Sequence, residues 1–211
     1  MHRPDFSNDQ RIVGMSFPRY ERYKDSEVEW LSEVPTHWKV VPLRWYASCC
    51  SGDGLASEQI EENKYENQSI PVIGGNGVMG YTNQSNVLHS VLAVGRVGAL
   101  CGNIHIVDSP AWITDNALVL DAVPGVLNLE YLASVLRSRN LNDIASRTAQ
   151  PLITGTQVRD QRLSCPPLAE QSAIATFLGR ETAKIDALVT EQQRLIELLK
   201  EKRQAVISDG I

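Results

Sequence analysis

AEQSAIATFLGRETAKIDALVTEQQRLIELLKEKRQAVISDG, residues 169–210, is the stretch that decides how this chain is built. It follows Cys165-Pro166-Pro167-Leu168, where paired prolines stop the preceding segment, and Gly179 alone interrupts its helical character before Gly210. A heptad frame places Leu178, Ile185, Gln192, Leu199 and Val206 at a, and Ile174, Glu181, Leu188, Leu195 and Lys202 at d. About forty helical residues extend about 60 Å, too far for the remainder of the chain to cover. Such a helix needs a second helix to bury its stripe, so Ile174, Leu178, Ile185, Leu188, Gln192, Leu195 and Leu199 are read as a dimerisation or partner line. Folding back onto its own domain is the competing reading. Glu181, Gln192 and Lys202 weaken a simple zipper but can fix register, and Gly179 costs about 1 kcal/mol relative to alanine.

Upstream of the prolines the pattern changes. From Val40 to Leu120, short apolar runs at Ile70–Ile73, Val87–Val94, Ile104–Val107 and Ala117–Leu120 alternate with turn residues, which predicts several short strands. Gly74-Gly75-Asn76-Gly77 lies after the first run, and Asn-Gly predicts a tight hairpin whose two central residues take positive φ. Asn128 is placed to cap a helix carrying Glu130 in its first turn, with Leu129, Leu132 and Leu136 at helical spacing. Arg137, Arg139 and Arg147 follow near its end, where cations suit the dipole as well as they would suit a phosphate. Further upstream, Val28, Trp30, Leu31 and Val34 make the segment before Trp38 a docking strip, and residues 1–14 read as an extension or a start placed too early.

GRVGALCGNIHIVDSPAWITDNALVL, residues 95–120, tests for a phosphate-cradling loop and fails. Gly95, Gly98 and Gly102 fit neither G-x-G-x-x-G nor G-x-x-x-x-G-K-[ST], and a β-branched run rather than a helix follows them. Glycines in such a setting mark bulges or places where another backbone comes close. Asp115 and Asn116 fit an Asx turn entering a strand. No nucleophilic, metal or methyl-transfer motif is present, and His37, His89 and His105 lie in separate segments. Cys49, Cys101 and His105 lack the paired spacing of a zinc site, so the thiols are expected reduced and mostly buried.

Composition sets the remaining limits. The chain has 211 residues, 43% apolar and 21% charged, with a formal net charge of −5. Basic against acidic residues number 5 to 7 over 1–37, 7 to 10 over 38–150 and 8 to 8 over 151–211, so no segment is basic. This balance argues against binding of nucleic acid by bulk electrostatics, and any reading must use a few placed side chains or a partner's positive field. No run approaches the roughly 18 residues of a membrane span and the polar N-terminus is no signal peptide, so a cytoplasmic location without membrane association is expected.

YKDSEVEWLSEVPTHWKVVPL, IPVIGGNGVMGYTN, the glycine stretch and SCPPLAEQSAIATFLGRETAKIDALVTEQQRLIELLKEKRQAVIS, in that order, resemble the specificity subunit of type I restriction-modification systems. The similarity runs from Phe17 to Ser208, and its most specific part is PPLAEQ with the helix behind it. The resemblance implies an α+β fold: a mixed target-recognition domain with short strands over 38–150, then a long C-terminal coiled-coil helix over 167–208. Residues 1–37 would be an N-terminal extension and docking segment, and 151–166 a connector. Family members carry two such halves and read a bipartite DNA sequence, whereas this sequence holds one. A half-length form is therefore expected to pair with a second copy and read a palindrome with a non-specific spacer.

The resemblance further implies a non-catalytic reader of double-stranded DNA that docks modification (methyltransferase) and restriction (translocase/endonuclease) subunits. S-adenosylmethionine would sit on the methyltransferase, with no cofactor or metal in this chain. Candidate DNA-contacting residues are Arg96 first, then Asn76, His105, Lys64 and Gln150, because arginine pairs with guanine and amides with adenine. Alternatives stand beside these: an internal salt bridge for Arg96, a turn role for Asn76, and, for the chain, a coiled-coil adaptor or decoy without DNA reading.

Overall fold

The computed structural model describes residues 19–146 and 150–208. Arg147 and the extension over residues 1–14 lie outside them.

The fold is α+β, built around a four-stranded antiparallel sheet. Its strands are β4 (Ala47–Ser51), β10 (Ala117–Ala122), β7 (Val91–Gly95) and β8 (Ile104–Val107), in that order across the sheet. Strand β7 is buried along its whole length, because both faces of the sheet are covered. Leu92 and Val94 point one way, into a core with Leu118, Leu120 and Ile104. Helix α1 (Leu129–Arg139) supplies Leu132 and Leu136 to that same core. Val91 and Ala93 point the other way with Val107 and Ala117, and meet Ile73 and Ile113 of a second sheet. That sheet is β6 (Gly77–Thr82), β5 (Ile70–Gly74) and β9 (Trp112–Ile113), with β5 and β9 parallel. The period-two alternation of the apolar runs thus separates two cores across one sheet.

The hairpin between β5 and β6 forms where Gly74-Gly75-Asn76-Gly77 predicts it, with one correction. Within that turn Gly77 takes φ +102°, but Asn76 is not in the positive region. The β5–β6 register is irregular between Val72 and Ile73, and the glycine at the base of the turn absorbs the left-handed geometry instead of the asparagine.

Residues 151–165 contribute to the main core rather than crossing its surface. Ile153, Val158 and Leu163 are buried there, at 0%, 0% and 4% exposure. Helix α2 (Gly155–Arg159) opens with a capping box in which Thr154 and Gln157 satisfy each other's backbone N–H. Strand β11 (Arg162–Cys165) then pairs antiparallel with β3 (Lys39–Pro42). Before β3, a small hairpin of β1 (Tyr23–Asp25) and β2 (Glu33–Pro35) buries Val34 and lays Trp30 on the main core. Arg139 sits over the Trp30 ring, 5.8 Å from its centroid.

Helix α3 (Leu168–Ser208) runs 41 residues without a break. Its root is held by two adjacent side chains. Gln171, fully buried, accepts from the Asn128 backbone N–H at 2.8 Å and donates to the carbonyls of Val126 and Pro166 at 3.1 and 2.9 Å. Asn128 also caps α1, its side chain accepting from Tyr131 N–H at 2.9 Å, so one residue starts the first helix and anchors the last. Glu170 receives Tyr20 Oη–H at 2.9 Å, His37 Nε2 at 2.8 Å and Trp38 Nε1–H at 2.9 Å. These bonds outweigh its partial desolvation and hold the carboxyl below its usual pKa.

Beyond this root α3 leaves the domain. Ala175 is buried and Ile174 and Phe177 half-buried, but from Thr182 onward every side chain described is exposed. Leu178, Ile185, Leu188, Leu195 and Leu199 are between 38% and 64% exposed, and Gln192 shares their face. Among the described residues no helix is long and apolar enough to cross a membrane.

Replacing Gln171 by leucine keeps the volume but strands one N–H and two carbonyls in the interior. We expect a loss of about 3 kcal/mol, since each unsatisfied buried group costs about 1–3 kcal/mol. Urea unfolding of the two proteins measures it, and a loss within about 0.5 kcal/mol would contradict the role given to this side chain.

Candidate nucleic-acid interface

One corner of the four-stranded sheet gathers loops from distant parts of the sequence. Gly95 ends β7 so close to the β5–β6 turn that a Cβ on it would lie 2.5 Å from the Gly75 carbonyl oxygen and 2.8 Å from that of Leu100. Only glycine lets these backbones meet, which answers why this stretch carries no side chain at that point. Arg96 N–H donates to the Asn116 carbonyl at 3.0 Å, and Gly98 N–H to that of Pro151 at 3.0 Å. Asn142 Nδ2 donates to the Cys101 carbonyl at 2.9 Å and braces the loop from below. The ends of β4 and β7, the starts of β8 and β10, the hairpin turn and residues 150–152 therefore converge on one polar rim.

Arg96 stands in this rim, half-buried, with Nη1 donating to Ser51 Oγ at 3.1 Å and to the Asp115 carbonyl at 3.3 Å. Its contacts are hydrogen bonds to neutral oxygens, so its charge is not paired by a carboxylate among the described ion pairs. Asn76 tips the hairpin, exposed, and its Oδ1 accepts from Asn103 Nδ2 at 3.3 Å. His105 lies beneath the same turn, where a Cβ on Gly77 would be 3.5 Å from its Cε1. Gln150 is exposed on the segment that pairs with Val97 and Gly98. Lys64 is elsewhere: its segment bridges Tyr81 through Glu61, at the end of β6 away from the turn.

Asn103 and Ser51 were not singled out by sequence reasoning, and Asn116 was read as part of an Asx turn; the structure places all three in the rim. Asn116 and Ser51 act through a backbone carbonyl and a hydroxyl, for which a sequence gives no signal. Asn103 follows Gly102 inside the glycine stretch and is the one whose position could have been suspected.

The other cations near the sheet hold the fold together. Arg137 donates from Nε and Nη2 to the Ile104 carbonyl at 3.3 and 3.0 Å, and Arg139 donates to Gln161 Oε1 at 2.9 Å. Burial, with the Arg137 charge adding to it, holds the His105 imidazole below its ordinary value of 6.5. Its Nε2 is buried without a hydrogen-bond partner. Burial likewise pushes the Cys49 thiol up to about 12, so the free thiol stays protonated. Among the described residues no group of three or more His, Cys, Asp or Glu side chains could hold a metal ion.

Residues 55–198, which span the rim apart from the end of β4 and most of α3, match the family described as type I restriction modification DNA specificity domain. The chain belongs to this family. It is 31% identical over 176 residues to the type I restriction enzyme EcoprrI specificity subunit of Escherichia coli, a match covering 82% of this chain and 41% of that protein. The specificity-domain chain thus spans less than half the length of that curated relative. Two solved structures share the fold at 18% identity. One is a type I restriction-modification S subunit from M. genitalium, at a TM-score of 0.61 over 73% of this chain and 41% of that one. The other comes from work on complex assembly and conformational transition of the type I R-M system, at 0.69 over 83% and 46%.

The half-buried His105, with its Nε2 out of solvent and its imidazole held below 6.5, makes stability depend on pH in a defined direction. Below 6.5 the unfolded chain binds a proton that the folded chain resists, so this contribution is present above 6.5 and is lost as pH falls towards the lowered folded value. His105→Gln removes that term. Urea unfolding at about pH 7.5 and about pH 5.5 should show a smaller acid loss in the variant than in the parent; an equal loss would contradict the burial of this ring.

Proposed function

We propose that this chain is the sequence-reading subunit of a type I restriction-modification complex, that the Gly95 rim reads one half of a bipartite DNA target, and that α3 pairs with the α3 of a second copy. The observation that carries the reading is the bare helix: a family-matched DNA specificity domain is anchored to a 41-residue helix whose a and d positions from Ile185 to Lys202 are all exposed. An apolar stripe of that length in water requires a partner helix.

Two identical domains on antiparallel helices are related by a two-fold axis, so the recognised sequence is a gapped palindrome whose spacer is set by the helix length. The chain recognises and does not catalyse. Modification subunits, holding S-adenosylmethionine, dock on the dimer, supply much of the positive field around the duplex, and link it to the restriction subunit. This division of labour accounts for a reader with a net charge of −5.

Leu188→Asp combined with Leu195→Asp places carboxylates in the seam and should raise the dimer dissociation constant by at least about 100-fold in sedimentation equilibrium. A double variant that remains dimeric would overturn the helix pairing. Mapping adenine methylation in the source cells with and without the chain tests the reading itself. Loss of a gapped palindromic motif supports it; loss of an asymmetric motif assigns a different half-subunit as partner; no change favours the adaptor reading that the acidic balance of residues 38–150 suggests.

A further inference from the structure

We propose that Asn103 is the adenine-reading side chain of the rim and that Asn76 is the residue that positions it. This inference rests on the DNA reading proposed above and assigns it a residue and a base.

The argument is one of free hydrogen-bonding groups. Arg96, the strongest candidate by sequence, commits Nη1 to Ser51 Oγ and the Asp115 carbonyl; its remaining Nε and Nη2 donors suit the paired acceptors of guanine and cannot match adenine, which sets a donor beside an acceptor. His105 turns its Nε2 into the interior. Asn103 is exposed, and its backbone is fixed on both sides: its N–H donates to the Leu100 carbonyl at 3.1 Å and its carbonyl accepts from Gly95 N–H at 2.9 Å. The next residue, Ile104, is 5% exposed and its carbonyl is held by Arg137. The Asn103 side chain thus projects from a stiff strand start, while its Nδ2 donates to Asn76 Oδ1 across the gap to the hairpin at 3.3 Å.

That single bond leaves a definite remainder. A side-chain amide has two N–H donors and one carbonyl acceptor. With one donor given to Asn76, Asn103 presents its Oδ1 and its second N–H outward. Adenine in the major groove offers the complement, an N6 donor beside an N7 acceptor. Guanine offers two acceptors, O6 and N7, and would set O6 against Asn103 Oδ1. Asn76 makes no base contact in this scheme; its Oδ1, carried by the hairpin, keeps the Asn103 amide from rotating. Two loops from different sheets thereby hold one reader, and the pre-organisation lowers the entropy lost on binding.

The full chain, co-purified with a type I modification subunit, is used to select from a library of randomised DNA duplexes, in parallel with three variants. The parent chain should enrich a motif containing adenine. Asn103→Ala should lose the adenine preference at one position of each half-site, keep the others, and bind the parent motif about 5- to 150-fold more weakly. Asn103→Asp lacks the donor and should shift that same position towards cytosine, whose N4 donates. Asn76→Ala should blur that position alone. Unaltered thermal midpoints exclude misfolding as the cause.

An unchanged motif and affinity for Asn103→Ala would overturn the inference while leaving the DNA reading intact. Equal weakening on all duplexes with the motif preserved would do the same, since it marks a backbone contact. Absence of any enriched motif with the parent chain would overturn the DNA reading and this assignment together.

Discussion

A buried glutamine amide determines how the two parts of this protein are joined. Gln171 meets the Asn128 N–H and the carbonyls of Val126 and Pro166, three groups that an approaching helix would otherwise leave without partners in the interior. An apolar residue at that point would pack but could not choose among helix orientations, because hydrophobic contact has no direction. Hydrogen bonds have direction. Glu170, one position earlier, adds three donors drawn from Tyr20, His37 and Trp38, so the first segment of the fold is fixed to the last helix. The strand pair β3–β11 closes the same region, and Tyr131 Oη–H donates to the Ser164 carbonyl at 3.1 Å from above.

The rim at Gly95 follows from the same economy of buried polar groups. Four strand ends and a hairpin turn bring many free N–H and carbonyl groups to one place, and most of them satisfy one another across loops. Backbone pairing of this kind makes the loops stiff without burying them. Exposed polar side chains on stiff loops suit a reader, whose selectivity depends on presenting donors and acceptors at fixed positions. An acidic chain is not an obstacle to that task, because the charge that draws in the duplex and the groups that inspect it are separable.

How much of this was legible beforehand depended on how local the cause was. The long helix, the Asn128 cap and the central strands are written in periodicity and in residues three or four apart. The hairpin was legible too, although its left-handed geometry fell on Gly77 rather than Asn76. Strand β4, with sequence ASCCS, has no apolar run, and its place in the sheet comes from pairing with β10 nearly seventy residues later. Residues 151–166 were expected as a connector on the family resemblance, and α2, five residues without a period, gives little signal, although Thr154 and Gln157 spell a capping box. Site residues were hardest. Arg96 could be ranked by residue type, but its engagement with Ser51, forty-five positions away, and the Asn76–Asn103 contact exist only once the sheets stack.

The root of α3 also has a mechanical meaning. A helix of 41 residues is a lever whose fulcrum is the cluster around Gln171. At about 60 Å of length, a tilt of about 5° at that fulcrum displaces the far tip by about 5 Å, more than one base-pair step of a duplex. Angular tolerance at two adjacent residues therefore becomes positional tolerance at whatever the tip must reach. The dense bonding of Glu170 and Gln171 is what a long arm requires if its end is to be placed to within a single step.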